Sequence, residues 1–162
     1  MISVRNLEKH FGSVQVLKGI STDIYTGERV VIIGPSGSGK STFLRCLNCL
    51  EDPTGGSVIF ENEDLADTKV NINIHRQNMG MVFQQFNLFN NLTVLENITL
   101  APMKIFCKQA KKKHGNVEEL KVQIKANAMS LLERIGLADK ANVYPSTLSG
   151  GQKQRIAIVR AL

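Results

Sequence analysis

No stretch of the 162 residues approaches the ~18 consecutive apolar residues of a membrane span, and Met1 to Asn6 lacks the basic start and apolar run of an export signal. The expectation is a cytosolic chain, held at a membrane only through a partner. Cysteine is scarce: Cys46, Cys49 and Cys107 make an odd number, which argues against a secreted scaffold built on disulfides. Cys46 and Cys49 form a C-x-x-C, but a zinc site needs two more ligands at similar spacing, and His10, His75 and His114 are scattered singly. Ordinary packing along a helix is the reading. Internal repeats and low-complexity tracts are also missing. With 43% hydrophobic residues, 21% charged residues and thirteen glycines, the composition excludes a disordered or collagen-like chain and suits one α/β domain.

Acidic residues are outnumbered, giving a formal charge of +6, yet five of the twenty cations sit between Lys104 and Lys113. The segment Lys104 to Gly115 is polar, basic and aperiodic, so a solvated surface loop is expected there rather than a nucleic-acid or anionic-membrane footprint. Loosely alternating apolar residues at Ile2, Val4 and Leu7, then Val14, Val16, Ile20 and Ile24, suggest early antiparallel strands around a turn at His10 to Ser13. Val30-Val31-Ile32-Ile33 is a continuous β-branched run, the pattern of a strand covered on both faces in a parallel sheet. Met79 to Phe83 reads as a second core strand, and Ser57 to Glu61 as a further short one.

Helices follow from periodicity and caps. After Lys40, the residues Leu44, Leu47 and Leu50 recur at helical spacing, with Asp52-Pro53-Thr54-Gly55-Gly56 as stop and turn. Thr93 with Glu96, Asn116 with Glu119, and Ser149 with Gln152 each have capping-box spacing, so a helix is expected to start at each. The second carries an apolar stripe of Leu120, Ile124, Ala128, Leu131, Leu132 and Ile135 that ends at Gly136.

Two glycine-bearing segments carry chemistry. Gly34-Pro35-Ser36-Gly37-Ser38-Gly39-Lys40-Ser41 follows a strand pattern and precedes a helix pattern. Its glycines let the backbone turn its N–H groups inward, and the helix adds its positive end, so triphosphate oxygens meet aligned donors. Lys40 supplies a point charge, Ser41 is placed to ligate Mg²⁺, and Thr42 adds a hydroxyl towards the α-phosphate. Leu148-Ser149-Gly150-Gly151-Gln152 is a second anion grip: the Ser149 hydroxyl and the Gly150 and Gly151 N–H groups stand at a helix start, where a γ-phosphate is favoured.

The two loops together resemble the ATP-binding-cassette (ABC) family, and the resemblance covers almost the whole chain. It implies a P-loop NTPase fold: a mixed, largely parallel core sheet, an N-terminal antiparallel side sheet and a helical subdomain. The division implied is residues 1–83 as ATP-binding core with the Walker A loop, 84–147 as glutamine loop and helical subdomain, and 148–162 as signature segment. ATP and Mg²⁺ are the implied cofactors, gripped by Gly34, Ser36, Gly37, Ser38, Gly39, Lys40, Ser41 and Thr42. Two domains pair head to tail in this family, as a homodimer or with a related subunit, so that each ATP lies between the first loop of one and the Ser149, Gly150, Gly151 and Gln152 segment of the other. Phe11 matches the family's adenine-stacking aromatic, where tyrosine is more usual, and Val16 is counted among the nucleotide-binding residues. Gln84 matches the glutamine that contacts Mg²⁺ and the attacking water, the one catalytic residue implied for this chain, and that senses a membrane partner.

Within the family, Gly80 to Phe89, Leu92 to Ile98, Ala101-Pro102, Gly136 to Lys140, Tyr144-Pro145 and Leu148 to Leu162 look like the ATPases of polar amino acid importers, the glutamine, histidine and arginine uptake group. A permease would then dock near Gln84 to Phe89, with a solute-binding protein as an indirect partner and no nucleic acid. The sequence stops at Leu162, before any strand carrying the magnesium-holding Asp, the catalytic Glu or the switch His of the family. The expectation is therefore an N-terminal portion without those groups. A non-catalytic ATP-binding remnant and a soluble ABC ATPase acting on nucleic acid are the alternatives. Val159 stands where the family generally has alanine, and its extra methyls are expected to crowd a tight helix.

Overall fold

A computed structural model describes all 162 residues, which divide into two compact units, Met1–Met79 and Gly80–Leu162. The first is built on a four-stranded antiparallel sheet in the order β2-β1-β3-β4, where β1 is Ile2–Phe11, β2 Val14–Ile24, β3 Gly55–Phe60 and β4 Glu63–Asp64. The β1–β2 turn needs only Gly12 and Ser13, with Phe11 opposite Val14. Gly12 takes φ +59°, the left-handed conformation that such two-residue hairpin turns demand. Helix α1, Lys40–Leu47, supplies Phe43, Cys46 and Leu47 to a core with Val4, Leu7, Leu17 and Val58. The buried face of α1 therefore runs through Phe43, Cys46 and Leu47, whereas Leu44 and Leu50 of the expected stripe are exposed. Cys46 and Cys49 are both core residues, and burial pushes the Cys49 thiol up to about 11, so neither is a nucleophile at neutral pH. A short helix, α2 at Ile72–His75, closes this unit.

Every ladder formed is antiparallel. The run Val30 to Ile33, expected as a covered strand, joins no ladder, and its side chains are between 37% and 87% exposed. Met79 to Phe83 likewise forms no strand. The reason is that a β-branched apolar run fixes a preference, but a strand exists only where a neighbour takes up its N–H and C=O groups. Neither segment is aligned with a second strand in a ladder.

In the second unit, α3 (Val94–Lys112) packs on α4 (Val117–Arg134), and α5 (Gly150–Ala161) adds Ile156 and Val159 to a core with Val94, Ile98, Ala128, Leu132 and Leu148. All three starts carry the expected side-chain caps, with full reciprocal capping boxes at Thr93–Glu96 and Ser149–Gln152. The surface loop expected from Lys104 is instead the last turns of α3, which runs unbroken to Lys112. Lysine is a good helix former, and Cys107 anchors this stretch by burial, so apolar periodicity is not required for it to be helical. Val159, 2% exposed, borders a cavity of about 370 Å³ shared with Ile98, Phe106 and Ile124, which gives its methyls room. No helix is long and apolar enough to cross a membrane.

Candidate functional site

The first unit presents the glycine loop on the N-terminus of α1. Gly37 and Gly39 take φ +80° and +89°, and Gly34 φ +153°. A Cβ at Gly39 would lie 3.0 Å from Val16 Cγ1, and one at Gly34 would lie 2.9 Å from Ser38 Oγ, so backbone conformation and close approach both require glycine there. The start of α1 has no side-chain cap, in contrast to α3, α4 and α5. Its leading N–H groups are thus left for something outside the helix, at the positive end of the peptide dipoles.

The Lys40 ammonium folds back over this loop, donating to Gly34 O at 2.9 Å, Pro35 O at 2.7 Å and, more weakly, Ser38 Oγ at 3.4 Å. An anion with several oxygens would find here one mobile cation, uncapped N–H donors, the exposed Ser41 hydroxyl and the half-buried Thr42. The residues present fit a phosphate group. Val16 touches the loop through the Gly39 approach, and Phe11, 46% exposed, stands at the tip of the same hairpin. A cleft of about 550 Å³ between β2 and the 30–33 segment reaches the loop at Gly34, Ser38 and Lys40. Its walls are chiefly Leu17, Ile20, Ile24, Phe43 and the apolar run, and Ser36, Gly37, Ser41 and Thr42 lie outside it, so it is an apolar trough rather than an anion site.

The second unit holds Gln84 and the Ser149 segment. Gln84 is exposed, in a turn where Phe86 N donates to Phe83 O at 3.0 Å and where Phe86 and Asn87 take left-handed φ of +60° and +48°. Two side chains that the sequence reading did not single out hold this segment. Arg160, near the end of α5, donates to Asn87 O at 2.6 Å and Phe86 O at 3.0 Å. Asn97, 1% exposed on α3, accepts from Phe89 N at 2.7 Å and donates to Phe89 O, Leu92 O and Thr93 O within 3.1 Å. Neither has a local sequence signal, since Arg160 acts across more than seventy residues; a buried asparagine in a helix is visible only as a polar interruption of the apolar face. Asn97→Ala removes four hydrogen bonds and strands buried backbone groups, so a loss of about 3 kcal/mol in urea unfolding is expected, with faster amide exchange over residues 86–92.

At the start of α5, Ser149 Oγ accepts from Gln152 N at 3.3 Å and Gln152 Oε1 accepts from Ser149 N at 2.9 Å. The hydroxyl proton stays free to donate. Gly150 and Gly151 have open space around them, so an incoming anion can reach their N–H groups. The capping box fixes the loop geometry while leaving its outward donors available.

The sequence model of the ABC transporter family matches residues 17–162. Over its whole length the chain is 50% identical to the glutamine transport ATP-binding protein GlnQ of Geobacillus stearothermophilus, covering 62% of that protein. It is 52% identical to the arginine transport ATP-binding protein ArtM of Bacillus subtilis, covering 63%. The chain thus spans less than two thirds of the length of these relatives. Among solved structures, the dimeric bacterial ABC transporter cassette MJ0796 superimposes with a TM-score of 0.82 at 40% identity, over all of this chain and 69% of the other. MJ0796 in a post-hydrolysis state bound to ADP and Pi gives 0.80. Backbone likeness at this level, joined to a sequence match that contains both glycine loops, makes the chain a member of the ABC transporter family.

Proposed function

We propose that this chain is the nucleotide-binding part of an ATP-binding subunit that powers import of polar amino acids of the glutamine, histidine and arginine class. The observation that carries the reading is 50% to 52% identity, across all 162 residues and both loops, to glutamine and arginine transport ATP-binding proteins. Residues then take the following roles. The α1 N–H groups and Lys40 hold the β- and γ-phosphates, Thr42 the α-phosphate region, and Phe11 with Val16 the base. A Mg²⁺ would be held through the Ser41 hydroxyl and the nucleotide's own oxygens, with Gln84 assigned as a further ligand by the family resemblance alone. That ion would neutralise charge building up on the phosphates.

Ser149, Gly150, Gly151 and Gln152 would close on the γ-phosphate of a nucleotide bound by a second copy or a related subunit, as supported by the dimeric MJ0796 cassette. The Gln84 to Phe89 turn, with Phe89 49% exposed, would offer a permease an apolar contact. The subunit would work on the cytoplasmic face of the membrane through that permease. Membrane vesicles containing the full-length subunit and its permease, supplied with the solute-binding protein, should accumulate labelled glutamine, histidine or arginine only when ATP is enclosed on the subunit's side. ATP turnover with no uptake of any polar amino acid would overturn the transport assignment.

A further inference from the structure

Lys9 is a buried charge with an unusual set of neighbours. It lies on β1 two residues before Phe11, with the irregularity of the β1–β2 pairing between Lys9 and His10, and is only 8% exposed. Its ammonium donates to Asp52 O at 2.7 Å and pairs with Glu51 Oε1 at 3.3 Å, in the turn that leaves α1. The same ammonium stands 4.9 Å from the centroid of the Phe11 ring, over its face. Further bonds lace this turn to β1: Thr54 N donates to Glu8 O at 2.9 Å and His10 N donates to Thr54 Oγ1 at 3.2 Å. The cation is therefore held from behind, while the ring, 46% exposed, meets solvent on the surface that the ammonium does not cover.

We propose that Lys9 is a positioning residue for the base of the nucleotide, fixing the Phe11 ring and leaving its outer face electron-poor for a purine. The inference rests on the nucleotide reading above and deepens it. A cation over one face of an aromatic ring draws π density towards itself, so the other face repels an electron-rich purine less. A ring already held in one orientation also loses less freedom when a base settles on it. A salt bridge kept for stability alone would need only Glu51 and Asp52; Lys9 adds the ring as a third partner, at the position proposed to carry the base. The contribution is specific to the base, since the ammonium is engaged at Asp52, Glu51 and the ring and takes no part in the phosphate loop.

The test uses the full-length protein and two ligands, MgATP and magnesium tripolyphosphate, which shares the phosphates and lacks the base. Lys9→Met should weaken MgATP roughly three- to tenfold, the range for a partly desolvated cation–π contact, and leave tripolyphosphate within about twofold. Lys9→Arg keeps a cation over the ring and should hold MgATP within about threefold of the parent. Equal losses for both ligands in Lys9→Met would mean a structural role only and overturn the proposal, as would an unchanged MgATP affinity. Phe11→Ala separates the layers: if it leaves MgATP untouched, base stacking and the role of Lys9 fall together while phosphate binding stands. If the parent protein binds neither ligand, the nucleotide reading itself is wrong.

Discussion

In the Lys40→Ala variant of the full-length protein, affinity for MgATP is expected to fall about 100-fold or more, the size expected when two charge-assisted hydrogen bonds to phosphate are lost. The ammonium is the only side-chain cation within the glycine loop, and its present partners are two backbone carbonyls and one hydroxyl of that loop. None of them compensates its charge, so it is free to turn to an incoming phosphate. Those partners are exposed, and losing them leaves groups that water can serve, so stability should change by no more than about 1 kcal/mol. Titration calorimetry reads the first effect and thermal unfolding the second. A variant that binds MgATP as well as the parent would place the nucleotide elsewhere.

Gly56→Ala is expected to cost about 3 kcal/mol or more, through backbone geometry rather than lost contacts. Gly56 takes φ +80° on β3, beside the register shift between the Arg5–Ser57 and Glu8–Gly55 pairings with β1. A Cβ there would sit 2.2 Å from Asn6 O and 2.5 Å from Arg5 O, distances that only a shift of one strand can relieve. Because β1 also carries Lys9 and Phe11, the same substitution should loosen the hairpin tip. Urea unfolding should show a clear drop in midpoint; an unchanged midpoint would mean that the β1–β3 ladder is not packed as described.

What could be read from sequence alone divides along physical lines. Capping boxes and the glycine loop act over a few residues, so Thr93 with Glu96, Asn116 with Glu119, Ser149 with Gln152, and Gly34 to Lys40 all announce themselves. The runs at 30–33 and 79–83 were open to misreading because a strand is a pairing property, and pairing is non-local. Lys104 to Gly115 is polar, basic and aperiodic and so reads as loop, whereas lysines themselves favour helix and α3 continues to Lys112. At α1 the helix is legible but its face is not: Leu44 and Leu50 stand out by hydrophobicity, while Phe43 and Cys46 enter the core. Lys9, Asn97 and Arg160 were invisible, because each matters through partners that the chain brings near only on folding.

The account's central claim is that the Lys40 loop and the Ser149 segment serve one nucleotide from two copies of the subunit. Mixing full-length Lys40→Ala with full-length Ser149→Arg tests it most directly, with MgATP-dependent dimerisation followed by sedimentation. Each variant alone lacks one half of every site, whereas a mixed dimer regains one intact site, so the account predicts dimers in the mixture and few in either variant alone. Dimerisation of Ser149→Arg alone at the parent's MgATP concentration would contradict the shared site.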